Sequence, residues 1–483
     1  MTTAVVVGSG PNGLAAAVRL AQAGIAVRVL EAEPGIGGGA RSVQRPAPVG
    51  LAGRLIFDEC SAFHPMAVAS PFLASLGLER HGLRWRWPEV QLAHPLDGGR
   101  AGLLWRDAGR TAEGLGDDGK AWEAIVGGIA RRFEQLVPDI LGPILRVPRH
   151  PLALARFGAL AALPATVLAK VWRHDEARAL FGGVAAHSFA SLDAPFSSSV
   201  GLVLTAAAHA VGWPVPEGGT QAISDALAAR LRELGGIIET GKRVERLGEA
   251  GDPDLLLLCV SPQTAATLLD GRLPAAVARS YRRYRYGAAA FKVDYAIRGE
   301  VPWEAPDVRL AGTVHVGGTL EEIARAEEQN VRGSMPERPF VLVGQQFAAD
   351  PSRSADGVNP LWAYAHVPHG YPGDATEAIT AQIERFAPGF RDRILSVSVR
   401  SVAALEAHNA NYVGGDISTG ANSGLQIVFR PRVTADPYAT GVPGVFLCSA
   451  ATPPGGGVHG MAGFHAAERA LAYLRRRGAS RPA

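Results

Sequence analysis

Cysteine is scarce in this chain. Three thiols, Cys60, Cys259 and Cys448, stand among 483 residues, and none forms a CxxC pair. That spacing excludes a sequence-local redox disulfide and offers no zinc pattern. Cys259 and Cys448 end apolar runs, where a thiol acts as a small hydrophobe, so a reduced, cytoplasmic setting is expected. Lysine is also rare, with four residues against many arginines. The formal charge is only +3, and no basic cluster is interleaved with aromatics, which argues against a nucleic-acid partner. No charged leader with a cleavage site precedes the first apolar run, so no signal peptide is expected. The most apolar later stretch, residues 152–169, contains Arg156, Gly158 and Pro164. It makes a poor bilayer span and reads as a helical piece of a substrate-binding domain. No His/Asp/Glu cluster has metal-ligand spacing and no GxSxG elbow occurs, so no metal is expected. The arginines at 475–477 read as a solvated helix end or as a contact for anionic lipid.

The length suits two domains. Nearly half of the residues are apolar, enough for a large core. The N-terminus carries the strongest motif. Residues 4–7 form a β-branched run, Gly8-Ser9-Gly10-Pro11-Asn12-Gly13 follows, and residues 14–23 form a small-residue helix that stops at Gly24. A second strand, 26–30, ends at Glu31. Gly8 permits the tight turn, Gly10 lets the backbone approach a pyrophosphate, and Gly13 lets the helix pack closely on the sheet. The helix N-terminus presents unpaired N–H groups and partial positive charge to phosphate. Glu31 stands where a carboxylate accepts bonds from ribose hydroxyls and disfavours a 2′-phosphate. Strand, glycines, helix, strand and acid occur in order within the span of a dinucleotide-binding unit. A second Gly-rich loop, PGIGGGARS at 34–42, ends near Arg41 and suits further contact with a pyrophosphate or flavin. No second complete GxGxxG is present, so one dinucleotide and no separate nicotinamide domain are expected.

The far end repeats the pattern. A strand, GVFL at 444–447, leads into CSAATPPGGGVHGMAG at 448–463 and a helix over 464–476. That helix N-terminus suits an electron-rich group such as a reduced flavin.

The N-terminal GSGPNGLAAA, the loop EAEPGIGGGARS and the C-terminal PPGGGVHGMAG resemble the phytoene desaturase-like flavoproteins, within the amine-oxidase type FAD superfamily. FDECSAFHPMAVASPF, YGAAAFKVDYAI, GTVHVGG and NANYVGGDIS are similar to its phytoene dehydrogenase-related group. The resemblance implies an α/β fold: a discontinuous Rossmann-like FAD-binding domain (1–75, 205–285 and 405–483) and an α+β substrate-binding domain with a helical cap (76–204 and 286–404). It implies FAD held by Gly8, Gly10, Pro11, Asn12, Gly13, Glu31, Gly38, Gly39 and Arg41. Val244, in the strand opened by GGIIETGKRV, would present its backbone to adenine. Ala450, Ala451, His459, Gly460 and Met461 would lie against ribityl and isoalloxazine. Many superfamily members carry an aspartate where Ala450 stands, so the ribityl contact would come from backbone or from Ser449.

Flavin performs hydride chemistry itself, so a protein acid or base is optional. Lys292 lies in the apolar strand AAAFKVDY, an expensive place for an ammonium unless it is paired or useful. Asp294, two residues on, faces the same side. The pair is either structural or lets Lys292 orient a water or a polar substrate group at the flavin. His459 is a candidate proton donor or acceptor, and His64 a candidate for the same cavity. His315 and His366 read as structural. The function expected is an FAD-dependent dehydrogenase or desaturase acting on a C–C or C–N bond of a hydrophobic small molecule. Oxygen or a quinone would serve as electron acceptor, with peripheral membrane contact as a further option. Alternatives are a redox-neutral isomerase or saturase, an amine oxidase, whose aromatic walls find no convincing pair in the sequence, and a non-catalytic FAD-binding scaffold.

Overall fold

A computed structural model describes residues 1–479. The first βαβ unit forms as the motif requires. Strand β1 (Thr3–Val7) runs parallel to strand β2 (Ala26–Leu30), joined by helix α1 (Pro11–Gln22). β1 is central in a five-stranded parallel sheet, ordered Val445–Leu447, Leu255–Leu258, β1, β2, Ile237–Glu239. A sheet covered by helices on its faces demands continuous apolar strands, and AVVV and LLLL supply them, with every residue buried. α1 lies between this sheet and the C-terminal helix Met461–Ala479, and its small residues Ala15, Ala16 and Ala17 are fully buried.

A second, seven-stranded sheet stands beside the first. Its order is Ile394–Arg400, Ala289–Arg298, Val358–Val367, Val341–Gly344, Ala311–Val316, Val90–Leu96, Arg100–Trp105. All pairs are antiparallel except Ala311–Val316 with Val90–Leu96. Helices Pro151–Ala161, Asp175–Ala185 and Ser197–Ala210 join its apolar side chains in one core. Three of the fold's separate segments meet at Arg353. Its guanidinium, fully buried, holds Asp58 (2.5 Å), Asp350 (3.1 Å) and the Pro216 carbonyl (2.8 Å). Asp58 in turn accepts from Ser42 Oγ and the Thr220 N–H. Such a group is stable in the interior only because each charge finds several partners.

The stretch 152–169 is helical, in two pieces that part before Pro164, because proline lacks the N–H and disfavours helix for the residue before it. Two local expectations change. The C-terminal helix begins at Met461, three residues earlier than its composition suggests, directly after Gly460 at φ +68. Val244 is outside any strand. The chain turns at Gly241 (φ +66) after Glu239, and only isolated bonds, such as Lys242 N–H to Glu31 O, follow.

Candidate dinucleotide-binding and active site

The site starts where β1 ends. Gly8, at φ +100, donates its N–H to Leu30 O (2.8 Å). A Cβ on Gly13 would overlap the Gly8 carbonyl oxygen, so only glycine lets α1 sit this close to the turn. Gly10 is the residue before the helix, and no side chain caps α1. Its first-turn N–H groups remain for an outside acceptor. Gly38, at φ +55, folds back so that a Cβ there would lie 3.1 Å from Gly10 Cα. The two Gly-rich loops thus touch, and Gly8, Gly10, Pro11, Asn12, Gly38 and Gly39 line one wall of a large cavity. Asn12 Oδ1 is buried there without a hydrogen-bond partner.

Glu31 stands beside them at the end of β2. It accepts from the Ser9 N–H (2.8 Å), Ser9 Oγ (2.6 Å) and the Glu33 N–H (2.9 Å). These bonds fix the carboxylate and leave it further acceptor capacity toward the cavity it lines. Arg41 also lines the cavity. Its Nη2 donates to His408 O (2.8 Å), and its Nε, 3.5 Å from Glu59, makes no hydrogen bond. Burial pushes the Glu59 carboxyl upward, but the Arg400 hydrogen bond and the charges of His408, Arg400 and Arg41 outweigh it and hold it below its ordinary value. Lys242, Arg243 and Val244 line the same end.

The C-terminal loop forms the opposite side. Ser449, Ala450 and residues 453–459 line the cavity, with Gly455 and Gly457 at φ +109 and +132. Ala451, Gly460 and Met461 are not on that wall, nor is Gly13. Gly460 instead packs on Ala15, and the Met461 N–H donates to His459 Nδ1 (3.0 Å). With Nδ1 accepting, the neutral ring carries its proton on Nε2, and the ring lies against the backbone of Gly455 and Gly456. Burial pushes His459 down to about 4. It is therefore a neutral hydrogen-bond donor at pH 7.

From these loops the cavity, about 890 Å³, extends into an apolar chamber beside the second sheet. Phe189 stacks on Tyr364 (centroids 6.0 Å apart, planes at 12°), and Trp362 meets Tyr364 edge-on at 4.9 Å. Trp213 is fixed by its indole N–H on Thr313 Oγ1 (3.0 Å). Leu154, Phe157 and Val203 close the far side. The sequence offers no convincing aromatic pair, and the fold brings these rings to one chamber wall. Phe189 and Trp213 come from segments far from Trp362 and Tyr364, which tertiary packing alone brings together. The spacing W-x-Y in a strand, which places both rings on one face, is the one signal the sequence carries.

Lys292 and His64 do not line the cavity. Lys292 is bonded to Asp294, whose other oxygen lies 3.3 Å from Arg45. Its ammonium is 5.9 Å from the ring centre of Trp362, which does line the chamber. Burial lowers the Lys292 pKa, against the pull of Asp294. His64, one residue behind the wall formed by Phe63 and Pro65, bonds Thr220 Oγ1 (2.9 Å), and burial pushes it to about 4. His366 is buried against Glu327 (2.8 Å).

Fold and site together define an α/β protein with a dinucleotide-binding Rossmann unit and an apolar chamber at its phosphate-binding edge. Residues 6–68 match the family model described as NAD(P)-binding Rossmann-like domain. The chain is 25% identical over 293 residues to Pyridine nucleotide-disulfide oxidoreductase domain-containing protein 2 of Rattus norvegicus, covering 53% of this chain and 50% of the relative. The match thus spans about half the length of that relative. It is 27% identical over 545 aligned positions to hydroxyneurosporene desaturase of Cereibacter sphaeroides, covering 97% of both. It superposes on wild-type putrescine oxidase bound to putrescine with a TM-score of 0.60 at 17% identity, covering 98% of this chain and 99% of the other. These comparisons show a Rossmann-like dinucleotide-binding unit over residues 6–68 and a fold shared with putrescine oxidase.

Proposed function

We propose that this chain binds FAD and oxidises a hydrophobic small molecule at a C–C or C–N bond, as a dehydrogenase or desaturase. One observation carries the reading: a single cavity runs from the uncapped N-terminus of α1 and Glu31, past the Gly-rich loop 453–459, into the aromatic chamber. Its walls fit such a cofactor. Asn12 Oδ1 and Arg41 Nε are buried polar atoms on that wall without hydrogen bonds, which is costly unless a ligand pairs them. Bound FAD would supply hydride acceptance, with the electrons passing on to oxygen, a quinone or another carrier.

The chain's own residues bind and orient. α1 and Gly10 receive phosphate, Glu31 receives ribose hydroxyls, and His459 donates from Nε2. Held neutral by burial, His459 polarises a carbonyl or ring nitrogen without adding a full charge. Asp139, a carboxylate on the cavity wall, is taken up by the N–H groups of Arg149 and His150. Phe189, Trp213, Trp362 and Tyr364 hold an apolar substrate and exclude water.

A second reading, amine oxidation, is favoured by the aromatic wall that Phe189, Trp213, Trp362 and Tyr364 give the chamber, since aromatic rings attract a cation. The absorbance spectrum of the purified protein, followed by anaerobic titration with polyenes and with hydrophobic amines, tests both. Flavin bands that bleach with polyenes support the desaturase, and bleaching with amines alone supports the amine oxidase. A colourless protein that takes up no FAD overturns both.

A further inference from the structure

We propose that His187 anchors a hydroxyl group of an otherwise apolar substrate inside the aromatic chamber, with His315 holding its ring in place. His187 lines the cavity beside Trp213, and the two rings meet edge-on (centroids 6.0 Å apart, planes at 80°). Its Nε2 lies 2.9 Å from His315 Nε2. Among the described residues its Nδ1 has no hydrogen-bond partner, and the half-buried ring faces the cavity. Thr313 Oγ1, on the same wall, is already taken by the Trp213 indole N–H.

The surroundings set this ring firmly. His315 belongs to strand Ala311–Val316, in which every residue is buried. Among the described residues its side chain makes one hydrogen bond, to His187, and its Nδ1 makes none. A buried imidazole is a costly filler where an apolar side chain would pack as well, and orienting His187 accounts for it. Gly183, inside helix Asp175–Ala185, makes room behind the pair. A Cβ there would lie 2.8 Å from His315 Cβ and 2.8 Å from His94 Nδ1. Glycine within a helix costs about 1 kcal/mol relative to alanine, and here it permits the close approach of the histidine rings. Two residues beyond His187, Phe189 takes a left-handed backbone (φ +52) and stacks on His366 at 3.8 Å. A non-glycine residue keeps that conformation only where the packing around it is firm. The turn that carries His187 is therefore fixed at the chamber wall.

The chemistry of the anchored group follows. A neutral imidazole has one N–H and one acceptor nitrogen, so one of the two rings donates between the Nε2 atoms. If His315 donates, His187 turns an N–H on Nδ1 toward the chamber. If His187 donates, its Nδ1 is an acceptor. A hydroxyl both donates and accepts, so it pairs with either form, whereas a hydrocarbon pairs with neither. An ammonium finds no counter-charge here. The carboxylates on the cavity wall are Glu31 and Glu33, at the dinucleotide end, and Asp139, which is taken up by the N–H groups of Arg149 and His150. Burial pushes His187 down to about 3, so the ring is neutral at pH 7 and suits a neutral partner. The anchor deepens the oxidoreductase reading by naming its substrate class, an apolar alcohol, and rests on that reading only for turnover.

Calorimetric titration of the purified full chain with phenylbutanol, butylbenzene and phenylbutylamine tests the anchor. His187→Gln places an amide where Nε2 stands, which keeps the bond to His315 and removes Nδ1. This variant should melt near the parent, bind phenylbutanol about threefold to tenfold more weakly and bind butylbenzene as before. His187→Asn places its amide where Nδ1 stands and should recover part of the alcohol affinity, although it melts lower without the His315 contact. Phenylbutylamine should bind the parent more weakly than phenylbutanol. Tyr364 lines the same wall, and Tyr364→Phe should leave the ratio of alcohol to hydrocarbon affinity unchanged. Four results would overturn the anchor: a parent that does not bind phenylbutanol, a His187→Gln variant that binds it like the parent, a loss that falls equally on butylbenzene, or a loss found at Tyr364→Phe instead. Binding is read without turnover. A protein that selects the alcohol through His187 while its absorbance never bleaches would lose the oxidoreductase reading and keep the anchor.

Discussion

The carbonyl oxygen of Asn12 and the α-carbon of Gly463 pack so closely that a Cβ on residue 463 would overlap that oxygen. This contact fastens α1, which carries the phosphate-binding turn, to the C-terminal helix, which carries the loop at His459. The two Gly-rich motifs, more than four hundred residues apart in the sequence, are one structural unit. Gly463→Ala should therefore push the helices apart. We expect a loss of about 1–3 kcal/mol, the usual cost of overpacking, together with weaker retention of the dinucleotide. Thermal melting read beside flavin absorbance checks both, and an unchanged melting temperature would refute the tight seam.

Glu31→Gln keeps the shape of the side chain but replaces one oxygen by an NH2 group facing the donors Ser9 and Glu33. Hydrogen bonds to a charged group are worth about 1.5–3 kcal/mol, so FAD affinity should fall roughly tenfold to a hundredfold. Titration of apoprotein with FAD reads this directly. An affinity equal to the parent's would remove Glu31 from the site.

Lys292 and Asp294 distinguish a structural pair from a working one. Lys292→Met leaves Asp294 buried with Arg45 as its remaining cation. Breaking a buried pair this way costs about 3–5 kcal/mol. If the pair is structural, Lys292→Met with Asp294→Leu should recover most of the stability and leave turnover near the parent's. A double variant that folds well but loses turnover by orders of magnitude would show that Lys292 serves the chemistry from behind Trp362.

The buried histidines make the fold sensitive to mild acid. Burial holds His64 and His459 at about 4 and His187 at about 3, against about 6.5 when exposed in the unfolded chain. Between pH 6.5 and 4 the unfolded state binds the extra protons, so stability rises with pH across that window. It is complete above 6.5 and is lost as the pH falls toward 4, at up to about 1.4 kcal/mol per pH unit for each such histidine. Melting temperatures measured from pH 7.5 down to 4.5 should drop steeply. His64→Gln, which can still reach Thr220, should make the drop shallower; a slope unchanged in this variant would count against a neutral buried His64.

Particular residues show how far the chain can be read before it folds. The spacing of Gly8, Gly10 and Gly13, and the acid at Glu31, are legible because each answers a backbone demand met within one βαβ unit. Where a local rule competes with a distant contact, the reading slips. Val244 has strand composition, yet Gly241 turns the chain away. The composition of the last helix suggests a later start, yet Gly460 packs on Ala15 and starts it at Met461.

The sequence by itself determined the dinucleotide-binding unit, since it rests on periodicity and glycine placement over neighbouring residues, while the wider α/β organisation was legible only through a family resemblance. Tertiary structure alone decided which side chains share the cavity. It stacked Phe189 on Tyr364, set Lys292 and His64 behind the wall, and placed His459 upon it. Those relations join residues tens to hundreds of positions apart. They depend on the packing of the second sheet against its helices, which no local pattern encodes.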